Sequence, residues 1–443
     1  MIRLVKKHLT KKTDINMRSL VTLLFCAFVS VAFSQKSDRI LILGGMLHVG
    51  NGETLESTAI GVEDGKIAFV RNSLAYTVND ADWDTIIHVE GQHIYPGFVA
   101  PNSTLGITEI DAVKATRDFD EVGTYNPHVR TQIAFNVESK VVSTVRTNGV
   151  LITQSTPRGG VISGTSSVMA MDGWNWEDAT ISGNDGIHLN WPPSMQGGGW
   201  WAEPAPKKRN EKYNERKAEI YEFFQMAKAY TKEDRTEKDL RLEAMKACFD
   251  GSKRVYIHAD ELQELVDAIE FAKELELKFP VIVGGYDAHL VVNQLHDAKI
   301  PVMVVRPHSL PENEEDDIDH AYKLPKLLYD GQVKFCIQNH GDMEAMHARN
   351  LPFLAGTAAA YGLPKEQAVS AISLWACEIL GIDKNYGTIE KGKSATLFVS
   401  EGDALDMRTS NMTFGLINGR YVKTTNFQTE LYEKYKAKYE AKP

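Results

Sequence analysis

The side chains of this chain that could do chemistry stand at the ends of short apolar runs. Arg254-Val-Tyr-Ile-His258 ends on an imidazole and is followed by Ala259-Asp260. Val333-Lys-Phe-Cys-Ile337 runs into Gln338-Asn339-His340-Gly341-Asp342, and Val302-Met-Val-Val305 is soon followed by His308. An imidazole titrates near neutral pH, so it can take or give a proton or bind a divalent ion, and a carboxylate beside it can orient it. His258, His340 and Asp342 are therefore the candidate catalytic residues, and His258 is also the candidate metal ligand. The ordinary role of a lone histidine at a strand end, a hydrogen bond that holds a loop, stands beside that reading. Thr156-Pro157-Arg158-Gly159-Gly160 offers a guanidinium and backbone N–H groups to an anion, against a plainer reading as a turn-rich loop. Glu312-Asn-Glu-Glu-Asp-Asp317 could clasp Ca²⁺, but a solvated charged loop is the simpler account.

The elements that must position these residues fall into two patterns. From residue 39 to 95 the chain reads as β structure, with Glu63-Asp64-Gly65-Lys66 as a hairpin turn between apolar runs. A similar signature returns after Tyr386, through Ala395-Thr-Leu-Phe-Val399 and Gly415-Leu-Ile-Asn-Gly-Arg420. Neither half is large enough to stand alone, so the two are expected to pair into one discontinuous β-sandwich. Between about 96 and 382, apolar runs alternate with helical periodicity at 137–147, 261–275, 288–298 and 322–329, which favours parallel β/α units. Residues from about 184 to 251 break the alternation with Trp191-Pro-Pro, Gly197-Gly-Gly-Trp-Trp201 and two charged helical stretches. Five of the seven tryptophans lie between Trp174 and Trp201, either as a lid or as pins that hold an inserted helical hairpin. The expected division is a leader at 1–34, β structure at 35–95, an α/β body at 96–382, β structure again at 383–425, and a C-terminal helix at 426–443.

A chain of 443 residues with a net charge of −10 and no basic face argues against nucleic acid as a partner. Arg18, an apolar run at 20–33 and Ala32-Phe33-Ser34 before Gln35 have the form of a cleaved secretory leader. The protein is thus expected in the periplasm or secreted, with no stable membrane anchor after cleavage. N-terminal sequencing of the native protein is expected to begin near Gln35, and finding the apolar run still attached would refute this. Cys248, Cys336 and Cys377, the cysteines beyond the leader, are too few and too scattered for a disulfide framework.

The stretch Tyr95-Pro-Gly-Phe-Val-Ala-Pro-Asn102-Ser-Thr104 resembles the opening strand of the amidohydrolase superfamily. Leu351-Pro-Phe-Leu-Ala-Gly-Thr-Ala-Ala-Ala-Tyr-Gly-Leu363 and Leu380-Gly-Ile382 are most similar to its imidazolonepropionase-related branch. The resemblance implies a (β/α)₈ barrel flanked by the β-sandwich, with strand ends on one rim. It also implies a metal centre built from a His-x-His pair on the first strand, a carboxylated Lys or a Glu, histidines after strands five and six, and an Asp after strand eight. Here the paired positions hold Asn102 and Thr104, Gln154 follows Thr153 where a lysine is sought, and Gly284-Gly285 stands at strand six with His289 a turn beyond. Only His258 keeps its usual residue type. Asn102, Thr104, Arg158 and His308 become candidate substrate contacts, and the expected cofactor is at most one divalent ion such as zinc.

Two function classes stay open. One is a hydrolase of carbon–nitrogen bonds in non-peptide or dipeptide-like substrates, working at a reduced site. The other is an inactive binding protein or partner subunit on the same fold. Either takes a small amide-type ligand, and either could form a homo-oligomer or join a related subunit.

Overall fold

The structure, a computed structural model, describes residues 38–200, 203–232, 237–341 and 343–440. The leader expected at 1–34 and Asp342 lie outside the described residues.

Strands from both ends of the chain share one eight-stranded sheet. Its order runs Arg420–Tyr421, Met412–Ile417, Leu397–Ser400, His93–Pro96, Ile40–His48, Thr54–Glu63, Lys66–Asn72, with Thr85–His88 also beside Ile40–His48. The junction between the two ends is the antiparallel ladder of Leu397–Ser400 on His93–Pro96. The turn at Asp64 and Gly65 has φ of 50° and 73°, the left-handed pair that a tight hairpin requires. Asn418 and Gly419 repeat it with φ of 50° and 75°. The sheet curls until these two turns touch: a Cβ on Gly419 would lie 2.4 Å from the Gly65 Cα. Ala395 N–H donates to the Gly65 carbonyl at 2.9 Å across the same contact. Inside the curl Ile40, Ile42, Leu47, Ile60, Leu397 and Leu416 form a dry core.

The central region is a mixed α/β fold with two further sheets. A six-stranded sheet runs Phe335–Ile337, Val302–Val304, Pro280–Gly284, Arg254–Ala259, Gly186–Asn190, Ile162–Thr165, and its first five strands are mutually parallel. A four-stranded sheet runs Thr180–Ser182, Ser167–Ala170, Val150–Ser155, Phe98–Ser103. Helices Leu262–Glu274, Val292–Ala298 and His320–Asp330 follow the parallel strands. In the first of these Leu265, Ala268, Ile269 and Ala272 are buried at helical spacing, and Glu261 and Glu264 close its N-terminus as a capping box. At the edge of the second sheet, Val99 N–H donates to the Ile372 carbonyl at 2.8 Å. The turn between helices Lys365–Ala371 and Leu374–Leu380 therefore covers part of the first strand's free edge.

The Phe98–Ser103 strand is fixed from below by aromatics. Phe398 stacks on Tyr95 with centroids 5.5 Å apart and meets Phe98 edge-on at 5.0 Å, joining the large sheet to the α/β body. The insertion begins later than the sequence pattern indicates. Gly186–Asn190 is a core strand between Ile162–Thr165 and Arg254–Ala259, and Met195–Trp200 with Glu203–Arg209 forms a hairpin rather than a loop. Beyond it come helices Tyr213–Tyr230 and Leu240–Asp250. Trp191 acts as a pin: it donates to Tyr213 Oη at 3.1 Å and packs edge-on against Phe271. Trp174, by contrast, is 90% exposed. Cys248, Cys336 and Cys377 are buried free thiols, and burial pushes the Cys248 thiol up to about 12.

Candidate functional site

The ends of the parallel strands converge on a chain of buried polar groups. Its centre is Asn102, fully buried and held at φ +47°, a conformation uncommon outside glycine and accessible to asparagine. Its N–H donates to Gln154 Oε1 at 2.9 Å and its Nδ2 donates to Gln338 Oε1 at 2.6 Å. The second bond links Phe98–Ser103 to the residue after Phe335–Ile337, so a side-chain contact joins edge strands of the two inner sheets. Gln154 is itself fixed, since its Nε2 donates to Asp185 Oδ2 at 2.5 Å and to Ser166 Oγ at 3.2 Å. Tyr256 Oη also donates to Asp185 Oδ2, at 2.8 Å. Burial raises the Asp185 carboxyl above its ordinary range, and its Oδ1 has no partner.

Above Asn102 sits a charged cluster. Arg158 Nη1 donates to Asn102 Oδ1 at 2.8 Å, while Nη2 donates to the Asn102 carbonyl at 2.9 Å and to Glu344 Oε1 at 2.8 Å. His340 Nδ1 lies 3.2 Å from Arg158 Nη2 and against Glu344 Oε2. Burial alone would raise the Glu344 carboxyl, but Arg158 and the bonded His340 outweigh it and hold it at about 2. Thr104, Arg117, Arg158, His340 and Glu344 line a cavity of about 660 Å³ here.

Beside this cluster lies an imidazole pair. His188 Nδ1 and His258 Nε2 are 2.9 Å apart in a shared hydrogen bond. His188 is fully buried, stacks on Tyr256 at 4.6 Å, and its Nε2 has no partner; His258 is half-buried. Both imidazoles are held well below the usual histidine range. Desolvation is the main cause, reinforced by Arg158 and His340, and for His188 also by His258. Both are therefore neutral at pH 7.

Of the sequence candidates, Asn102, Thr104, Arg158 and His340 meet at this site, with His258 electrostatically coupled to it. Asp342 lies outside the described residues. His308 faces elsewhere: its Nε2 lies 2.7 Å from Thr357 Oγ1, in a separate cavity of about 370 Å³ shared with Lys365 and Asp403. His289 packs against His320 at 4.7 Å, one turn beyond its strand. His188, Glu344 and Gln338 were not singled out in the sequence. His188 had one signal, its alternation with Asn190 on a strand next to that of His258.

The residues present do not fit a two-metal centre. Asn102 turns both side-chain atoms to Gln338 and Arg158. At Gly284 a Cβ would lie 2.3 Å from Asp260 Oδ1, so that carboxylate fills the room a side chain there would need. Among the described residues no three His, Cys, Asp or Glu side chains form a metal-binding group. Two imidazoles leave a tetrahedral ion short of two ligands, and the positive charge beside them is already supplied by Arg158.

Solved structures give the fold its relatives. An amidohydrolase from Thermotoga maritima MSB8 superposes with a TM-score of 0.74 at 22% identity, over 87% of this chain and 99% of that one. A Xaa-Pro dipeptidase with bound methionine in its active site gives 0.53 at 13%, over 87% and 100%. A molinate hydrolase gives 0.53 at 13%, over 88% and 95%. In sequence, amidohydrolase tasK of Hapsidospora irregularis is 24% identical over 172 residues, 38% of this chain, and the match spans only 17% of that protein. Residues 195–428, more than half of the 443, match the profile of the amidohydrolase family, and the chain belongs to that family.

Proposed function

We propose that the cavity over Asn102 takes a small amide- or dipeptide-like ligand, and that hydrolysis of its carbon–nitrogen bond is carried by His258 rather than by a pair of metal ions. The reading treats the two inner sheets as walls of one barrel whose strand ends open on this cavity. The observation that supports it most is the neutral His258–His188 pair beside a fixed guanidinium. A neutral imidazole can accept the proton of an attacking water, and His188 can share the charge through the hydrogen bond. Arg158 offers N–H donors to the oxygen on which negative charge develops. The relatives of the fold include a dipeptidase and a hydrolase, which supports hydrolysis as the reaction.

A second reading has its own observation. Arg158 is already bonded to Asn102 and Glu344, which leaves it little freedom to follow a developing oxyanion, and a site of that kind binds without turnover. Both readings are tested by screening cyclic amides, N-acyl amino acids and dipeptides for binding and for hydrolysis. On the first, His258→Ala lowers turnover at least ~100-fold with folding intact, the size expected for a lost general base. Unchanged turnover in that variant removes His258 from the mechanism. Ligand binding without hydrolysis by the wild type gives the second reading the first place.

A further inference from the structure

The parallel strands carry opposite surfaces at their two ends. Where the chain enters Pro280–Gly284 and Val302–Val304, a groove of about 720 Å³ opens. Ile300, Pro301, Ile379 and the half-exposed Phe279 give it an apolar lining. Arg254 stiffens that lining: its Nε–H donates to the Ile379 carbonyl, and its guanidinium lies over the Phe279 ring at 5.6 Å. Lys273, Lys278 and Lys299 also line the groove; all three are exposed and have no carboxylate partner among the described residues. The two carboxylates of the lining are already matched, Glu276 by Lys228 at 2.8 Å and Glu378 by Lys334. The groove is therefore cationic in a chain whose net charge is −10.

At the other end of Val302–Val304 the chain leaves through the acidic run Glu312–Asp317. Tyr286 Oη donates to Asp316 Oδ2 at 2.6 Å, the Asn313 N–H donates to the same oxygen at 3.0 Å, and Lys207 pairs with Glu312 at 3.5 Å. These bonds hold the loop and leave Glu314 and Glu315 exposed, without a partner among the described residues. Leu310 and Ile318 flank them and are 81% and 77% exposed. Aliphatic side chains that open to water gain by burial against another surface. We propose that the occupant of the groove is a second copy of this chain: loop 310–318 of one copy docks there on the next. Leu310 and Ile318 meet the apolar lining, and Glu314 and Glu315 meet the lysines. Loop and groove lie at opposite ends of one strand, so the contact joins two different patches. It runs head to tail and builds a ring or a filament rather than a twofold dimer. The inference is independent of what the cavity over Asn102 does.

The test is sedimentation velocity of the native protein across a concentration series. The wild type is expected to sediment above the monomer, and less so as salt is raised, because exposed ion pairs are screened. Lys278→Glu with Lys299→Glu puts carboxylates on both sides of the contact, and Glu314→Lys with Glu315→Lys puts cations on both sides. Each pair should weaken self-association by about tenfold or more. Mixing the two charge-reversed proteins should restore assembly, which also shows that both are folded. Leu310→Ser with Ile318→Ser leaves every charge in place and should weaken assembly by a similar factor. A wild type that stays monomeric at every concentration overturns the proposal, and so does assembly that survives any of the three double variants. Charge-reversed proteins that each melt as the wild type does, yet stay monomeric when mixed, overturn it as well.

Discussion

Arg158→Ala is expected to destabilise the protein by about 3 kcal/mol, and Arg158→Ala combined with Glu344→Gln to recover most of that loss. The side chains of Arg158 and Glu344 are 16% and 8% exposed, so the pair is held largely out of water. Removing the arginine leaves a buried carboxylate facing His340 alone, and removes both donors from Asn102, whose oxygen and carbonyl then lack partners. An unmatched buried charge is the costlier part, which is why neutralising Glu344 should restore stability even though it adds no new bond. The measurement is denaturant unfolding of the two variants against wild type, compared by midpoint at constant m-value. A double variant as unstable as the single one would show that the cost comes from Asn102 or from packing. The same variant should lose ligand affinity, because the cation over Asn102 is gone.

How the site reads from sequence depends on how far apart its partners lie. The hairpin at Asp64 and Gly65 is local, and both residues adopt the positive φ that such a dipeptide announces. Helix Leu262–Glu274 is local too, its buried face spelled out by Leu265, Ala268, Ile269 and Ala272. Arg158 and Glu344 are 186 positions apart, and no pattern in either neighbourhood names the other. Glu344 opens a helix of only four residues behind Gly341, too short to show periodicity. His188 was missed for another reason. A strand with sheet on both sides need not alternate, and Gly186-Ile-His-Leu-Asn190, with two aliphatic residues, reads as the start of the inserted segment. His308 is a different case. It follows a parallel strand as a mouth residue should, yet the chain after Val304 carries it to Thr357 and a different cavity. That Asn102, Thr104 and Gly284 stand where the family resemblance sets metal ligands is legible in the sequence. That Asp260 fills the space beside Gly284, and that a guanidinium stands over Asn102, required the structure.

The imidazole pair should make the protein acid-sensitive well above the carboxylate range. His188 and His258 both have folded pKa values below their ordinary value, which the unfolded chain recovers near 6.5. Between the folded and unfolded values the unfolded state binds protons that the folded state refuses, so stability rises with pH through that window. The contribution is complete above about pH 6.5 and is lost as pH falls toward the folded values, with a slope of up to about 1.4 kcal/mol per pH unit for each histidine. The groups facing the pair make charging it costly: Arg158 and His340 repel a second cation, and Glu344, which favours the charged His258, is already bonded to both. Asp185 and Asp260 act in the opposite sense: burial raises both, Asp260 to about 7, and the stability they contribute is lost as pH climbs above the unfolded carboxyl value, so they offset part of the histidine trend in the same window. Glu344 adds a second, lower step. With a folded value of about 2 its contribution, on the order of 3 kcal/mol, is intact above about pH 4.5 and lost as pH falls from there toward 2. Unfolding midpoints measured from pH 8 to 3 should therefore fall in two stages, the first beginning near pH 6.5 and the second below about 4.5. His188→Asn should flatten the first stage, and Glu344→Gln should remove the second while leaving the first in place. A midpoint that falls no more steeply below about pH 6.5 in the wild type than in His188→Asn would mean that the two rings charge freely in the fold, and that the pair is not the neutral acceptor on which the proposed chemistry depends.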